Sequence, residues 1–218
     1  RRQRSEAHRA LVLVPERVHV TAWDEQVSAH TPDIKHTVLL GNREERFAAL
    51  KQNGTDLFIM NHKGLEVYMA ELKKRKRVMN PDMAAAFAAH FDFLVLDEIH
   101  YVKTHRSLLF KLCRLLSANC PYRYGSTGTP FGRDPMALWP QWQLIDHGET
   151  LGHTLGLFRA AFFTATQNYW GGVDYAFRTE QTAQLRRVIK HRSITYGTEE
   201  LTDLPHKLSI RVPVALTE

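Results

Sequence analysis

Short runs of hydrophobic residues alternate, along the first 130 residues, with segments whose hydrophobic positions recur at helical spacing. Four runs, at residues 11–14, 37–40, 57–60 and 93–96, are almost entirely apolar and end at proline, glycine, asparagine or aspartate. Continuously apolar strands are typical of a parallel sheet covered by helices on both faces. The pattern therefore predicts an α/β fold, with a fifth strand at residues 122–126.

The segments between these strands carry helix signals. We expect four helices there, at residues 44–52, 65–77, 82–90 and 107–117. For the third of them, Asn80 is a candidate N-cap and Pro81 occupies a favourable first-turn position. Strands that alternate with helices in this way form βαβ units, which bring the residues after each strand to one edge of the sheet.

The composition and hydrophobic pattern of the sequence change after residue 133. Nine aromatic residues fall between Trp139 and Phe177, and a helical pattern follows at residues 179–190. We interpret residues 134–200 as a mostly helical, aromatic-rich attachment to the sheet domain. Core packing explains the aromatic cluster better than a platform for stacking nucleic-acid bases. Residues 201–218 read as an extended linker.

The composition excludes several classes of protein. Hydrophobic residues make up 44% and charged residues 24% of the 218 positions, so neither a disordered tail nor a fibrous rod fits. The 29 Lys and Arg against 23 Asp and Glu give a net charge of +6, which permits a polyanionic partner without requiring one.

The sequence contains no hydrophobic run near the 18 residues of a membrane-spanning helix, and no secretion signal. The only cysteines, Cys113 and Cys120, form neither a disulfide framework nor a C-x₂-C zinc motif. We therefore expect a soluble intracellular protein that has no membrane partner.

The most informative polar residues follow the fourth strand, at Asp97-Glu98-Ile99-His100. When two adjacent carboxylates follow a buried strand, one can hold a hydrated Mg²⁺ and the other can polarise a water molecule. The dipeptide is common, however, and the alternative is that Asp97 caps the next helix while Glu98 is solvated.

A second group of small polar residues follows the fifth strand, at Gly125-Ser126-Thr127-Gly128-Thr129-Pro130. Taken alone, this run is explained as a tight turn. It follows the acidic group by about thirty residues, and each group stands directly after a predicted strand. The pair together favours a shared functional site at the edge of the sheet.

These residues resemble the superfamily II helicases and translocases, specifically the Swi/Snf-like branch and its bacterial and phage relatives. Residues 97–100 resemble motif II, the Walker B or DExH box, and residues 126–130 resemble motif III, which in this branch ends in Thr-Gly-Thr-Pro. Residues 11–15 with Trp23 are similar to motif Ia, and residues 59–65 occupy the place of motif Ib. Residues 190–217 are similar to the bridge into the family's second motor lobe.

The resemblance implies roles for particular residues. Asp97 would coordinate Mg²⁺ through water, Glu98 would be the general base of ATP hydrolysis, and His100 would link the nucleotide site to motif III. The residues implied to couple nucleotide state to movement are Ser126, Thr127, Gly128, Thr129 and Pro130. The residues implied to contact the backbone of double-stranded DNA, independently of its sequence, are Pro15, Trp23, Asn61, His62, Lys63 and Gly64.

One family motif is absent from the sequence. A P-loop needs a glycine-rich loop and a lysine, but the chain contains no Gly-Lys dipeptide. By resemblance, residues 1–133 are a RecA-like ATPase lobe without its P-loop strand, and residues 201–218 lead toward an absent second lobe. The lack of an initiator methionine fits such a fragment, which we expect to be inactive alone.

By the same resemblance, the complete protein would use ATP and Mg²⁺ and would bind double-stranded DNA and its own second lobe. It would act in the cytoplasm or at the nucleoid, or in the host cytoplasm if a phage encodes it. One alternative is a degenerate module that binds nucleic acid or protein without hydrolysis. Another is a metal-dependent nuclease built on Asp97 and Glu98.

Five consecutive cations, Lys73-Lys74-Arg75-Lys76-Arg77, close the helix predicted at residues 65–77. Cations at a helix C-terminus are favourable and can simply be solvated. The functional alternative is an added contact with phosphate.

Overall fold

The computed structural model describes residues 9–52, 54–130 and 134–196. The strands are β1 (Ala10–Val14), β2 (His36–Val38), β3 (Leu57–Asn61), β4 (Ala70–Lys73), β5 (Lys76–Met79), β6 (Phe93–Leu96), β7 (Tyr122–Gly125), β8 (Phe163–Gln167) and β9 (Val173–Phe177). The helices are α1 (Arg17–His30), α2 (Arg43–Leu50), α3 (His62–Met69), α4 (Pro81–Ala88), α5 (Leu108–Asn119), α6 (Leu138–Asp146), α7 (Leu155–Phe162) and α8 (Thr182–Lys190).

Five strands form one parallel sheet in the order β2-β3-β1-β6-β7, which confirms the predicted α/β fold. All five predicted strands are present within two residues of their expected bounds. The apolar sequences of β1, β3 and β6 place hydrophobic side chains on both faces of the sheet. Two separate hydrophobic clusters result, one on each face.

The larger cluster covers one face of the sheet. Leu11 and Leu13 of β1 and Leu94 and Leu96 of β6 point into it and are fully buried. Side chains from α2 to α8 complete it, and the buried hydroxyl of Ser117 donates to Leu144 O at 2.7 Å, joining α5 to α6. The main core of the protein therefore lies on this face.

The smaller cluster lies on the opposite face and is built largely by one helix. Val12, Val14 and Ile59 of the sheet pack there against Val20 and Val27 of α1. This helix is not among the predicted elements. The comparison of Pro15 and Trp23 with motif Ia does not take into account the helical spacing of the apolar residues around them.

Side-chain N-caps mark the first residues of several helices. Asn80 accepts a hydrogen bond from Met83 N at 3.1 Å, and Pro81 opens α4, as predicted. Ser107 caps α5 in the same way, accepting from Phe110 N. Asn42 and Glu45 form a reciprocal capping box at α2. Each cap satisfies backbone N–H groups that have no partner inside the helix.

The helix predicted at residues 65–77 is wrong in its second half. Helix α3 ends at Met69, and β4 and β5 form an antiparallel hairpin that carries the five cations. From residue 73 to residue 77 the sequence has no apolar side chain to bury, so a helix continued through them would have no packed face to stabilise it.

The attachment after residue 133 contains α6, α7 and α8, together with a hairpin of β8 and β9 that the sequence did not predict. Core packing of its aromatic residues is confirmed for Trp139, Phe158 and Phe162, which are buried. It is wrong for Tyr169 and Trp170, which are 93% and 88% exposed at the hairpin tip.

The expected linker at residues 201–218 lies outside the described residues, as does most of the expected bridge at residues 190–217. Among the residues that the structure describes, no helix is long and apolar enough to cross a membrane.

Candidate functional site

The carboxyl ends of the central strands bring the predicted site residues to one edge of the sheet. The register pairs Val14 with Asn61, Leu13 with Leu96, and Leu96 with Gly125. The residues that follow these positions therefore emerge side by side. Segments that are up to about 110 residues apart in the sequence, at Pro15, Asn61, Asp97 and Ser126, share this edge.

Asp97 is held by hydrogen-bond donors from two other elements. Its Oδ2 accepts from Trp23 Nε1 of α1 at 2.9 Å, and its Oδ1 accepts from Ser126 Oγ at 2.7 Å. The Glu98 backbone N–H also donates to Oδ1. These donors fix the direction of the carboxylate, so Asp97 does not cap a helix as the alternative interpretation supposed.

Glu98 turns the chain sharply after β6. Its backbone lies in the left-handed region, with φ +48°, which costs a non-glycine residue roughly 1 kcal/mol. Its Oε2 atom is buried, makes no hydrogen bond within the described part of the chain, and lies 3.0 Å from His100 Nδ1. A strained residue thus places a buried carboxylate oxygen beside the imidazole of His100.

His100 joins the two motifs. Its Nδ1 atom lies 2.9 Å from Thr127 Oγ1, in addition to the 3.0 Å contact with Glu98. The Ile99 N–H donates to Ser126 O, which adds a backbone link between the same segments. The segments after β6 and β7 therefore contact each other through both side chains and backbone.

The loop after β7 is fixed at both ends. Thr129 N donates to Thr127 Oγ1 at 3.1 Å, and Gln141 Nε2 of α6 donates to Pro130 O at 2.6 Å. Between them Gly128 is open, because a side chain added there would meet no atom within 4 Å. The loop is thus tied to α6 while its middle faces solvent.

Gly125 allows this close approach. A Cβ atom added there would lie 2.8 Å from Ile99 Cδ1 and 3.1 Å from Ile145 Cδ1. A larger residue would require the ends of these two isoleucine side chains to move.

The residues expected to contact nucleic acid fall into two groups. Pro15, Asn61, His62 and Gly64 are buried, and Asn61 Oδ1 caps α3 by accepting from Gly64 N at 3.2 Å. Lys63, in contrast, is exposed at the first turn of α3. The side chain available to a phosphate at this edge is thus Lys63, and the buried residues set its position.

Two contacts of the site carried no sequence signal that we recognised. Trp23 was singled out as a nucleic-acid contact, but its indole N–H is used on Asp97, 74 residues away. Gln141 was not singled out at all. Both depend on how α1 and α6 pack beside the sheet, which residue spacing does not reveal.

The oxygen atoms of the site suit a magnesium ion that keeps most of its water. Mg²⁺ binds through one or two carboxylates together with substrate phosphates and water. Asp97 supplies such a carboxylate, beside the hydroxyl of Ser126. Among the described residues, no group of three or more His, Cys, Asp or Glu could hold a metal ion directly, so the fit is to a water-mediated site.

The sequence profile of the SNF2-related domain matches residues 1–217. The chain belongs to this family. The match places it in the Swi/Snf-like branch of superfamily II, as the resemblance of its motifs predicted.

Curated relatives support the same placement. The chain is 26% identical over 170 residues to putative protein p41 of Acyrthosiphon pisum secondary endosymbiont phage 1, covering 75% of this chain and 34% of that protein. It is 28% identical over 117 residues to the ISWI chromatin-remodeling complex ATPase CHR11 of Arabidopsis thaliana, covering 54% of this chain and 10% of the relative. The SNF2-related chain thus spans only about a third or less of the length of these relatives.

A solved structure shares the fold. The Sulfolobus solfataricus SWI2/SNF2 ATPase core in complex with dsDNA is 22% identical, with a TM-score of 0.63, and the match covers 93% of this chain and 37% of that one. The likeness confirms that the sheet and its helices form a RecA-like lobe.

Proposed function

We propose that this chain is part of an ATP-dependent motor that moves along double-stranded DNA. The observation that carries the proposal is the cluster of Asp97, Glu98 and His100 against Ser126 and Thr127, at the carboxyl edge of a RecA-like sheet. Membership of the SNF2-related family supports ATP as the substrate, and the DNA-bound core with the same fold supports a duplex as the track.

In this proposal Glu98 is the general base. Its buried Oε2 atom has free hydrogen-bonding capacity and can accept a proton from the water that attacks the γ-phosphate. His100 Nδ1 lies 3.0 Å from this oxygen and can donate to it when the nitrogen carries a proton. Asp97 would hold Mg²⁺ through water, and the ion when bound would neutralise charge on the β- and γ-phosphates.

The loop after β7 would carry the coupling. Ser126 donates to Asp97, and Thr127 contacts His100, so a change at the phosphates reaches both hydroxyls. Gln141 ties the far end of the loop to α6. Movement of the loop would therefore be transmitted to the attachment, while Lys63 contacts the DNA backbone.

The test is DNA-stimulated ATP hydrolysis by the complete gene product, compared with its Glu98→Gln variant. Loss of a general base lowers the rate by about 10²- to 10⁴-fold. Glu25→Gln, which changes an exposed carboxylate on α1, is the matched control and should hydrolyse ATP at the normal rate. Equal rates for Glu98→Gln and wild type would refute the catalytic assignment.

The 218 residues on their own should hydrolyse ATP poorly, because they contain no Gly-Lys dipeptide and hence no P-loop lysine. Robust turnover by this chain alone would contradict that expectation.

A second candidate function is a module that binds nucleic acid or protein without hydrolysis, which the missing P-loop lysine also favours. Here the complete gene product would bind duplex DNA but hydrolyse no ATP. A P-loop sequence some 20–30 residues upstream of Leu11 in the reading frame would favour the motor instead. Plasmid cleavage with Mg²⁺ and without ATP would favour a nuclease.

A further inference from the structure

The hairpin of β4 and β5 carries the densest positive charge of the described chain. Its five consecutive cations, residues 73–77, are all exposed, and the flanking Leu72 is 70% exposed. The hairpin stands outside the five-stranded sheet and contributes nothing to the candidate site. Its sequence therefore needs an explanation other than packing or hydrolysis.

The turn of this hairpin is conformationally unfavourable for its residues. Lys73 pairs with Lys76, which leaves Lys74 and Arg75 as a two-residue loop with φ values of +45° and +66°. Such loops strongly favour Asn and Gly, because positive φ brings the Cβ atom too close to the backbone, a conflict that Gly avoids and Asn tolerates. The chain thus accepts backbone strain at the two positions where it presents cations.

Carboxylates neutralise two of the five cations of the hairpin. Glu71 pairs with Lys73 at 2.7 Å, a hydrogen bond that lowers the pKa of Glu71, and Glu66 pairs with Arg77 at 3.4 Å. The three remaining cations, Lys74, Arg75 and Lys76, form no ion pair with any residue in the described ranges. Three unneutralised charges are therefore left at the tip.

The hairpin is connected directly to the edge of the sheet that carries Lys63. Helix α3 begins beside Asn61 and, eight residues or about 12 Å later, runs into β4. The strand adds about 13 Å more before the turn. One helix and one strand thus connect the exposed cation at the sheet edge with the cations of the turn.

We propose that the β4–β5 hairpin binds the phosphate backbone of double-stranded nucleic acid through Lys74, Arg75 and Lys76. The choice of a duplex rests on the proposed function. Lys and Arg side chains on an exposed turn suit phosphate oxygens, and a contact made to the backbone is independent of sequence and strongly dependent on salt.

The test measures binding of a fluorescently labelled 30-bp duplex by anisotropy at 50 to 200 mM salt, without ATP. Lys74→Gln, Arg75→Gln and Lys76→Gln, combined in one protein, should weaken binding about tenfold or more at low salt. The slope of log K against log[salt] should fall in magnitude by about 2.7, or 0.9 for each of three phosphate contacts. Two duplexes of unrelated sequence should lose affinity equally.

A charge-matched control separates a local contact from the general field of the protein. Lys51→Gln, Lys111→Gln and Arg114→Gln remove three exposed cations from other elements and should change affinity by no more than about twofold. If the hairpin variant binds like wild type, or if the control loses as much affinity, the proposal is wrong.

A second variant separates binding from folding. Lys74→Asn with Arg75→Gly supplies the residues that this turn favours, so the melting temperature should stay the same or rise while duplex affinity falls. Unchanged affinity would overturn the proposal, as would binding of phosphatidylserine vesicles in place of the duplex. The binding test contains no ATP, so it can refute the role of the hairpin without bearing on hydrolysis. The proposed function is tested separately, by the hydrolysis rate of the Glu98→Gln variant.

Discussion

The two faces of the parallel sheet are covered very differently. On one face, Leu11, Leu13, Leu94 and Leu96 are fully buried in a cluster to which seven helices contribute side chains. On the other, α1 provides most of the cover, and Phe93 and Val95 of β6 remain partly exposed. Tyr122 and Tyr124 of β7 stack on Phe93 in that open region.

The difference separates stability from chemistry. The thickly covered face supplies most of the buried apolar area and hence most of the free energy of folding. The thinly covered face supplies Trp23, which orients the carboxylate of Asp97. We infer that substitutions on the thickly covered face lower the stability of the fold. Substitutions on the face covered by α1 should first change the geometry of the candidate site.

The largest expected effect concerns solvent access to the thickly covered face. Cys113 and Cys120 are buried there, and burial raises the pKa of each thiol to about 12. Because the thiolate is the reactive form, labelling by Ellman's reagent at pH 8 should be at least about a thousandfold slower than in denatured protein. Rapid native-state labelling would show that this face is open.

The same thiols predict alkaline sensitivity. Their folded pKa values lie above the value of about 8.5 for an unfolded cysteine. The stability gained by keeping them neutral is complete below pH 8.5 and is lost progressively as the pH rises toward 12. The urea midpoint should therefore fall between pH 8 and pH 10, and replacing both cysteines with serine should reduce that fall.

Adjacent residues of β6 provide a direct comparison of the two faces. Leu94→Ala, on the thick side, should lower the free energy of unfolding by about 2–5 kcal/mol. Val95→Ala, on the thin side, should cost about 1 kcal/mol because its side chain is only partly buried. Leu72→Ala is the control: it makes the same leucine-to-alanine change at an exposed position, so it should hardly change the free energy of unfolding. Equal costs at positions 94 and 95 would remove the distinction.

The smallest expected effect is on hydrolysis. Trp23→Phe keeps a ring on α1 but removes the donor to Asp97, so unfolding should change by less than about 1 kcal/mol. In the complete gene product, ATP turnover should fall about fivefold and a higher Mg²⁺ concentration should partly restore it. A large loss of stability with normal turnover would place Trp23 in the core instead.

The sequence predicted the sheet well for a physical reason. Strands buried on both faces are continuously apolar, so β1, β3 and β6 stand out from their surroundings. The acidic group follows β6 and the Ser-Thr-Gly-Thr-Pro run follows the neighbouring parallel strand β7, so their meeting at one edge follows from parallel topology.

The errors lie where local pattern does not determine structure. The predicted helix continues through the cations because no Gly, Asn, Asp or Pro marks the turn at Lys74 and Arg75. The exposed ring pair Tyr169 and Trp170 was assigned to the core because aromatic side chains usually are buried. The bond from Trp23 to Asp97 depends on the packing of α1 beside the sheet.

Strand β7 pairs with β6 on one side and with no strand of residues 9–52, 54–130 and 134–196 on the other. A further strand can add to a parallel sheet at such an edge, and the ring of Tyr124 is exposed beside it. Preparations of this chain should therefore be checked for self-association as their concentration rises. Purification buffers and crystallisation trials need to allow for such contacts.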